Sequence, residues 1–213
     1  MKKYIIIIKF NLIVFLVLTA NAQNAKLNGN SSTLKLGEKL AERLFFEEIN
    51  KVRTDPKSYI PIARAFASSN RDSNARNIIL KELIPYLDTV TPVKPLVYSQ
   101  EIRKAMDTHD GVDFSRHAVV RHSHNLNCGE NFAGGSNASP IAGYVIILLA
   151  DTYVPGRGHR ENIMNSHYKY TAVRVIVFGD IKNRFTPTYI IQDFNLWSLF
   201  LIKLQTLIEQ LLL

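Results

Sequence analysis

The order of the hydrophobic patterns along the chain constrains its fold more than any other feature. Early in the 213 residues, apolar side chains recur about one helical turn apart, at Leu36, Leu40, Leu44, Ile49 and Val52. Strand patterns come late, in a valine-rich alternating segment over 171–178 and a similar segment over 188–194, and the polar turn between them predicts a hairpin. Helices around one small, late sheet predict an α+β fold, a three-layer α-β-α sandwich with an antiparallel sheet between the helices.

Proline marks the ends of the early helices. Asp55-Pro56 predicts the end of the first helix, because the residue before a proline resists the α conformation. A shorter helix is predicted up to Ala67, and a third helix is predicted over 75–88, where Pro85 disturbs it.

Serine caps mark the later helices. Ser99 predicts the start of a helix over 100–110, and Ser139 with the following proline predicts an apolar helix over 141–150. Residues 111–138 show no sustained periodicity, so we expect loops with short extended pieces there.

The N-terminus carries the three parts of a secretory signal. A basic start is followed by an apolar stretch up to Thr19 and by a small-x-small cleavage pattern at 20–22. We therefore expect residues 1–22 to be a signal peptide, 23–38 to be a polar linker, and the mature protein to be secreted, either outside the cell or in a periplasm. An uncleaved membrane anchor is the alternative, and the clean apolar run at 12–18 is short for a membrane span.

Composition limits the partners and the chemistry. The formal charge of +8 falls to +5 when residues 1–22 are removed, because they carry three lysines and no acidic residue. This mildly basic balance suits an anionic envelope or polymer, and we expect no nucleic-acid partner. The single cysteine, Cys128, excludes an internal disulfide and a zinc site built from cysteines. We expect a buried, inert thiol there, with an intermolecular bridge or a reactive group as the alternatives.

The segment 196–213 differs from the rest of the chain. Twelve of its residues are apolar, and Lys203 and Glu209 are its charged residues. We expect an apolar helical tail that packs back on the domain, with membrane contact or dimerisation as the alternatives. The pattern leaves the oligomeric state open.

All six histidines fall between His109 and His167, and this concentration points to the chemistry. Three runs, at 121–124, 128–135 and 156–164, set ionisable groups among glycine and asparagine, in turns where a scaffold can present them. Two imidazoles with carboxylates suit a divalent cation, and zinc is the usual match for neutral imidazole. The His-Glu-x-x-His pattern of the common helical zinc proteases is absent from the sequence.

Three of these groups are candidates on the residues alone. His122 with the nearby Glu130 favours a site, and a surface or capping role is the alternative for His122. Asp151 follows an apolar helix, where an acid meets the unfavourable end of the helix dipole, so a functional reason is favoured over an ordinary loop acid. Four other histidines are expected to lie outside the site, either packed or solvated. They are His109, His117, His124 and His167.

Five segments, in this order, resemble the CAP superfamily, which comprises the cysteine-rich secretory, antigen 5 and pathogenesis-related proteins and their bacterial relatives. They are FFEEINKVRTDPKSY from Phe45, KPLVYSQEIRKAM from Lys94, HSHNLNCGEN from His122, LLADTYVPGRGHRENIM from Leu148 and YIIQDF from Tyr189. The resemblance covers roughly residues 40–195 and implies one CAP (SCP) domain over 39–195. It also implies the α-β-α sandwich of that family, with a central cleft that holds two histidines and two acids.

In some members of the family these four groups bind a divalent cation. Matched onto the motifs of this sequence, the first histidine falls on His122, with His124 as the fallback, and the second falls on His159. The first acid falls on Glu130. The second falls on Asp151, where the family often has Trp-x-x-Glu and this chain has Leu-Leu-Ala-Asp.

The resemblance also implies a function. It suggests a secreted binding module whose cleft takes a divalent cation, with zinc favoured, and a lipid, an envelope polymer or a peptide or protein ligand. Ser123, Asn131 and Arg160 would support the walls of this cleft. Animal members carry several disulfides, whereas this chain has a single cysteine and can form no internal disulfide. Its stability is therefore expected to come from its core.

Two enzymatic alternatives remain open. In a metal-dependent, protease-like hydrolase, His122 and His159 would hold the metal and Glu130 would act as general base. In a thiol enzyme, Cys128 would be the nucleophile and one of the two histidines its base. The binding module is favoured over both.

Overall fold

The computed structural model describes residues 31–116, 118–119, 121–122, 128–136, 139–178 and 187–195, with side chains from residue 37 onward. Within this part of the chain, no helix is long and apolar enough to cross a membrane. Several predictions fall outside the described residues, namely the signal peptide 1–22, the hairpin turn after Phe178, the tail 196–213, His117, Ser123 and His124.

Seven α-helices are described, and short turns of other helical types join some of them. The helices are α1 (Ser31–Thr54), α2 (Ile60–Ser69), α3 (Ser73–Ile78), α4 (Ile84–Thr89), α5 (Gln100–Ala105), α6 (Ile141–Ala150) and α7 (Gly158–Met164). Turns of 3-10 helix occupy Pro56–Tyr59, Met106–Thr108 and Pro155–Arg157, and a π-helical turn at Ile79–Leu83 joins α3 to α4.

A four-stranded sheet forms the centre of the fold. Its strands, in spatial order, are β1 (Val97–Tyr98), β5 (Tyr170–Val177), β6 (Pro187–Asn195) and β4 (Gly129–Ser136). The short strands β2 (Val112–Asp113) and β3 (Ala118–Val119) form a separate ladder. The predicted hairpin strands are confirmed as β5 and β6, which pair antiparallel.

The prediction of a purely antiparallel sheet is wrong, because β1 runs parallel to β5. Between these two strands the chain passes through α5, β4, α6 and α7, and such a long crossover is what a parallel pair requires. The chain is therefore an α+β protein with a small mixed sheet.

Hydrophobic side chains cover both faces of this sheet, because successive residues of a strand point to opposite sides. One core joins the sheet to α1, α6 and α7 and includes Val173, Val175, Ile190, Phe45, Ile49 and Leu148. The other joins the sheet to α5 and the turn after it and includes Ala172, Ile176, Ile191, Ile102 and Met106. Phe132, the fourth residue of β4, packs against this second core, close to the candidate site.

The sequence predicts the C-terminal end of α1 correctly but not its start. Helix α1 ends at Thr54, as Asp55-Pro56 predicts, and the predicted disturbance near Pro85 is the π-helical turn that precedes it. Helix α1 begins at Ser31, so the prediction of a linker is wrong over 31–38. Leucine, lysine and glutamate in this stretch are good helix formers, and extending an existing helix is cheaper than nucleating one.

The strand β4 contradicts the prediction of loops over 111–138. All eight of its residues pair with β6. Gly134 and Gly135 interrupt the alternation of side chains that would predict a strand. A Cβ on Gly134 would lie 2.8 Å from the Tyr189 ring, and one on Gly135 would lie 2.8 Å from the Tyr144 hydroxyl. Neighbouring aromatic side chains therefore occupy the space that side chains of β4 would need.

Candidate functional site

The start of β4, the end of α6 and the start of α7 bring the predicted site residues together. Glu130 is the second residue of β4, His159 is the second residue of α7, and Asp151 directly follows α6. The ring centroids of His122 and His159 lie 6.1 Å apart. Phe132 lies against both, with ring centroids 5.0 Å from His122 and 6.2 Å from His159. The two imidazoles therefore face a common aromatic side chain.

The carboxylate of Glu130 lies between two imidazoles. Its Oε1 accepts a hydrogen bond from Nδ1–H of His122 at 2.8 Å, and its Oε2 accepts one from Nε2–H of His109 at 2.8 Å. The Gly111 N–H donates to Nδ1 of His109 at 3.0 Å, which fixes the proton of that ring on Nε2. The side chain of His109 is completely buried, whereas that of His122 is 54% exposed. Glu130 thus connects the interior to an accessible ring.

His109 is a residue that the sequence reasoning treated as a bystander. The sequence allows a packed His109 but does not predict its hydrogen bond to Glu130, because 21 positions separate the two residues. No local pattern marks the pair, since the sequence predicts a loop where β4 lies. The clustering of the histidines was the one available signal.

Asp151 holds His159 with both oxygens. Its Oδ1 accepts from Nδ1–H of His159 at 2.8 Å, and its Oδ2 accepts from the backbone N–H of the same residue at 2.9 Å. Asp151 ends α6 in the left-handed conformation, at φ 49°, and is 3% exposed. A non-glycine residue in this conformation costs free energy, so its carboxylate bonds help to hold the turn.

These bonds determine which ring nitrogens remain available. In His122 and His159, Nδ1 carries a proton that a carboxylate accepts, so Nε2 of each neutral ring has its lone pair free for a ligand. Metal-bound histidines characteristically donate their other N–H to a carboxylate in this way. The pair therefore fits a divalent cation that keeps further coordination positions open.

Glu130 and Asp151 are predicted to be metal ligands, but in the structure they bond to the histidines. Both oxygens of Glu130 and both oxygens of Asp151 accept hydrogen bonds, so the geometry favours an orienting role for them. Among the residues that the structure describes, no group of three or more histidine, cysteine, aspartate or glutamate side chains is arranged to hold a metal ion. Direct ligation by these two acids stays a prediction.

Asn131 connects the strand of Glu130 to the helix of His159. It is completely buried, its Nδ2 donates to the His159 carbonyl at 3.2 Å, and its Oδ1 accepts from Nδ2 of Asn162 at 2.9 Å. Asn162 is a further supporting residue that the sequence reasoning missed, although it lies inside the quoted run that ends at Met164. Asn131 thus supports the backbone of the site, and its role in the wall of a ligand cleft stays a prediction.

Arg160 supports the site at a greater distance. Its Nε donates to the Leu149 carbonyl at 2.6 Å, and its guanidinium lies 5.0 Å from the centroid of the Tyr86 ring. These contacts fasten the last turn of α6, just before Asp151, rather than line the space beside the two rings. Burial lowers the pKa of Arg160 from its usual value.

A second carboxyl group lies beside Glu130 in the interior. Asp193 is its partner across the β4–β6 ladder and is completely buried. Burial raises the pKa of Asp193 to about 7, and the neighbouring charge of Glu130 adds to the effect. The side chains of Cys128 and Glu130 lie beside its carboxyl group, and no hydrogen bond of full geometry reaches either oxygen among the described residues.

Cys128 shares this environment and is partly buried. Burial raises the pKa of its thiol well above the usual value, and the charges of Asp193 and Glu130 raise it further. A reactive cysteine needs the opposite shift, because the thiolate is the nucleophile. The environment therefore agrees with an inert thiol.

A cavity of about 300 Å³ continues from His159 along the outer side of β4. We call it the β4 groove and define it by Phe66, Ile79, Phe132, Gly134, Ile147 and Tyr153. Its walls are largely apolar, and Asn70 and Asp72 bring polar groups to it. The groove therefore reaches the imidazole of His159.

No protein-family model matches the chain, and no curated protein matches it. The functional assignment therefore depends on the chemistry of the site and on the resemblance of the five segments.

Proposed function

We propose that the chain is a secreted member of the CAP superfamily whose cleft binds a divalent cation, preferably zinc, through His122 and His159. The observation that carries this proposal is the 6.1 Å approach of the two ring centroids, with each Nδ1 bonded to a carboxylate. The signal-like residues 1–22 support secretion. The order of the five segments and the helices on both faces of the sheet support the three-layer α-β-α sandwich of that family.

Zinc suits this pair because neutral imidazole is one of its preferred ligands. Bonds from zinc to imidazole nitrogen measure about 2.0–2.1 Å, so both Nε2 atoms would have to approach one ion to that distance. Glu130 and Asp151 would hold the rings in the required tautomer and orientation. Water or a ligand in the cleft would complete the coordination.

Binding is the activity that the geometry supports best. Both oxygens of Glu130 accept hydrogen bonds from imidazoles, so its carboxylate is already engaged in orienting the two rings. The raised pKa of Cys128 likewise gives no support to a thiol enzyme. We therefore place a lipid, an envelope polymer or a peptide or protein in the cleft as a ligand rather than as a substrate.

Calorimetric titration with zinc chloride, after removal of bound metal with a chelator, tests this proposal. We expect one saturable site in the purified chain, and a loss of affinity of at least about tenfold in His122→Ala and in His159→Ala. His167→Ala is the matched control, because it removes an exposed histidine that has no bond to the site. Zinc affinity that is unchanged in the His122→Ala/His159→Ala double variant contradicts the proposal.

A further inference from the structure

We propose that the outer edge of β4 binds an extended peptide that pairs with the backbone of Phe132 and Gly134 and places one apolar side chain in the β4 groove. This inference deepens the proposed function by naming the class of ligand. It rests on that function only in treating the groove and the two histidines as one cleft.

The outer side of β4 is closed at both of its ends. In the described sheet β4 stands last in the strand order, with β6 on its inner side. At one end, Nδ2 of Asn162 donates to the Glu130 carbonyl at 3.4 Å. At the other end, the Ser139 N–H donates to the Ser136 carbonyl at 2.8 Å. These contacts leave the middle of the edge between them.

The middle of this edge presents backbone groups to the groove. Residues two apart along a strand direct their N–H and C=O groups to the same side, so Phe132 and Gly134 share the outward direction of Glu130 and Ser136. Among the described residues, none donates to or accepts from the outward backbone groups of Phe132 and Gly134. Both residues line the β4 groove. An added strand would satisfy these groups, which is how extended peptides bind sheet edges.

The groove lies on the face of the sheet to which Ala133 points. Ala133 belongs to the core that includes Ile79, and Phe66 packs against that core. Residues directly opposite each other on paired strands project to the same face. A peptide residue opposite Ala133 would therefore direct its side chain into the groove, between Phe66 and Ile147. The next residues along the peptide would pass His159.

The backbone groups favour a peptide over an acyl chain. A hydrocarbon in the groove would cover the N–H and C=O of Phe132 and Gly134 without pairing them, and unpaired buried groups are costly. A cavity of about 300 Å³ is at the lower limit of ligand pockets, which suits one or two side chains. Asp72 lines the same groove, so a basic residue beside the apolar one would add a favourable charge interaction.

Calorimetry with a defined probe tests the pairing. The probe is the acetylated, amidated pentapeptide lysine-valine-leucine-valine-lysine, and its two analogues carry one backbone N-methyl group, either on the leucine or on the valine after it. Strand pairing uses the N–H groups of alternate residues only. We therefore expect one analogue to bind about three- to tenfold more weakly than the parent and the other to bind like it.

Two lysine variants of the protein test the location. Ile147→Lys places a charge in the wall of the groove, at a residue that is 38% exposed, and we expect peptide binding at least about tenfold weaker. Leu80→Lys is the matched control, since Leu80 is 46% exposed and lies outside the groove, and it should bind as the unsubstituted chain does. Circular dichroism verifies that both variants fold.

Three results would overturn the peptide proposal: no heat of binding at millimolar peptide, equal binding of both N-methyl analogues and the parent, or equal weakening by the two lysine variants. Binding of dodecanoate that depends on Ile147, in a chain that does not bind the peptide, would assign the groove to an acyl chain and would also overturn it. The same titrations in chelator separate the two proposals. Peptide binding without any zinc site supports the peptide groove and contradicts the metal cleft alone.

Discussion

His109 donates from Nε2 to Oε2 of Glu130 at 2.8 Å, and this bond joins a completely buried ring to the carboxylate that holds His122. The Gly111 N–H holds the other side of the His109 ring, so the donor direction is fixed by the backbone. The orientation of the exposed imidazole therefore depends on groups that no ligand can reach. This arrangement makes His109 a positioning residue for the proposed metal cleft.

Replacing His109 should weaken metal binding without touching the metal. His109→Phe removes the donor and leaves Oε2 of Glu130 buried and unpaired, so we expect zinc affinity to fall about tenfold. His109→Gln keeps an N–H donor and should restore part of the loss. Zinc titration measures both variants, and thermal unfolding reports their stability. Equal zinc affinities in the two variants would argue against a positioning role.

Asp193 should make the stability depend on pH. In the folded chain burial raises its pKa to about 7, whereas an unfolded aspartate has a pKa of about 3.9. Between these values the folded chain binds more protons than the unfolded chain. The contribution of this group is therefore complete below about pH 4 and is lost as the pH rises to about 7, by at most about 1.4 kcal/mol per pH unit.

Urea unfolding of the wild type and of Asp193→Asn over pH 4.5–8 measures this effect. The free energy of unfolding of the variant should change less with pH, because the amide does not titrate. Asp88→Asn, at an exposed aspartate, should retain the wild-type pH dependence. A variant curve parallel to the wild type would show that Asp193 does not carry the effect.

Arg53 should contribute strongly to the stability of the region near the site. Its guanidinium is completely buried and donates to the carbonyls of Lys94, Ile163 and Asn165, so it fastens the end of α7 to the connector before β1. Lysine lacks the planar fork that reaches several carbonyls at once. We expect Arg53→Lys to lower the free energy of unfolding by about 2–4 kcal/mol.

Denaturant unfolding measures this loss, and Arg43→Lys is the control. Arg43 is 66% exposed in its side chain and pairs with Glu47 on the surface of α1, so its replacement should change stability by less than about 0.5 kcal/mol. A small effect of Arg53→Lys would mean that water satisfies the three carbonyls equally well.

The folded chain should protect Cys128 from thiol reagents. Burial and two neighbouring carboxyl groups raise its pKa, so very little thiolate exists at pH 8. We expect labelling by a disulfide reagent to be at least about tenfold slower in the folded chain than in urea at the same pH. Equal rates in the two states would contradict this environment and would revive the reactive thiol as a hypothesis.

Local signals in the sequence were sufficient for the ends of some helices and for the strands β5 and β6. Proline and capping residues act on their own neighbours, so the end of α1 and the Ser99 cap, whose hydroxyl accepts from Ile102 N–H, follow from the sequence. The strand β4 depends instead on β6, more than fifty residues later, and its glycines reflect the rings of Tyr144 and Tyr189. Such long-range packing leaves no periodic pattern.

The sequence likewise predicts some residues of the candidate site but not the contacts between them. The sequence predicts His122, Glu130 and His159 as site residues, and the structure brings their side chains together. The bond from His109 to Glu130 and the link from Asn131 to Asn162 could not be predicted, because each joins elements whose adjacency only the folded sheet creates. The orienting role of Glu130 and Asp151 could not be predicted either, because it depends on which donors bond to each carboxylate oxygen in the folded chain.

The central claim is that Nε2 of His122 and Nε2 of His159 share one ion. A crystal of the zinc-loaded chain, measured on both sides of the zinc absorption edge, tests this claim directly. We expect one anomalous peak about 2.0–2.1 Å from both nitrogens, with Glu130 and Asp151 still bonded to the two Nδ1 atoms. A peak bound to one ring alone, or zinc held elsewhere while the two rings keep their separation, would contradict it.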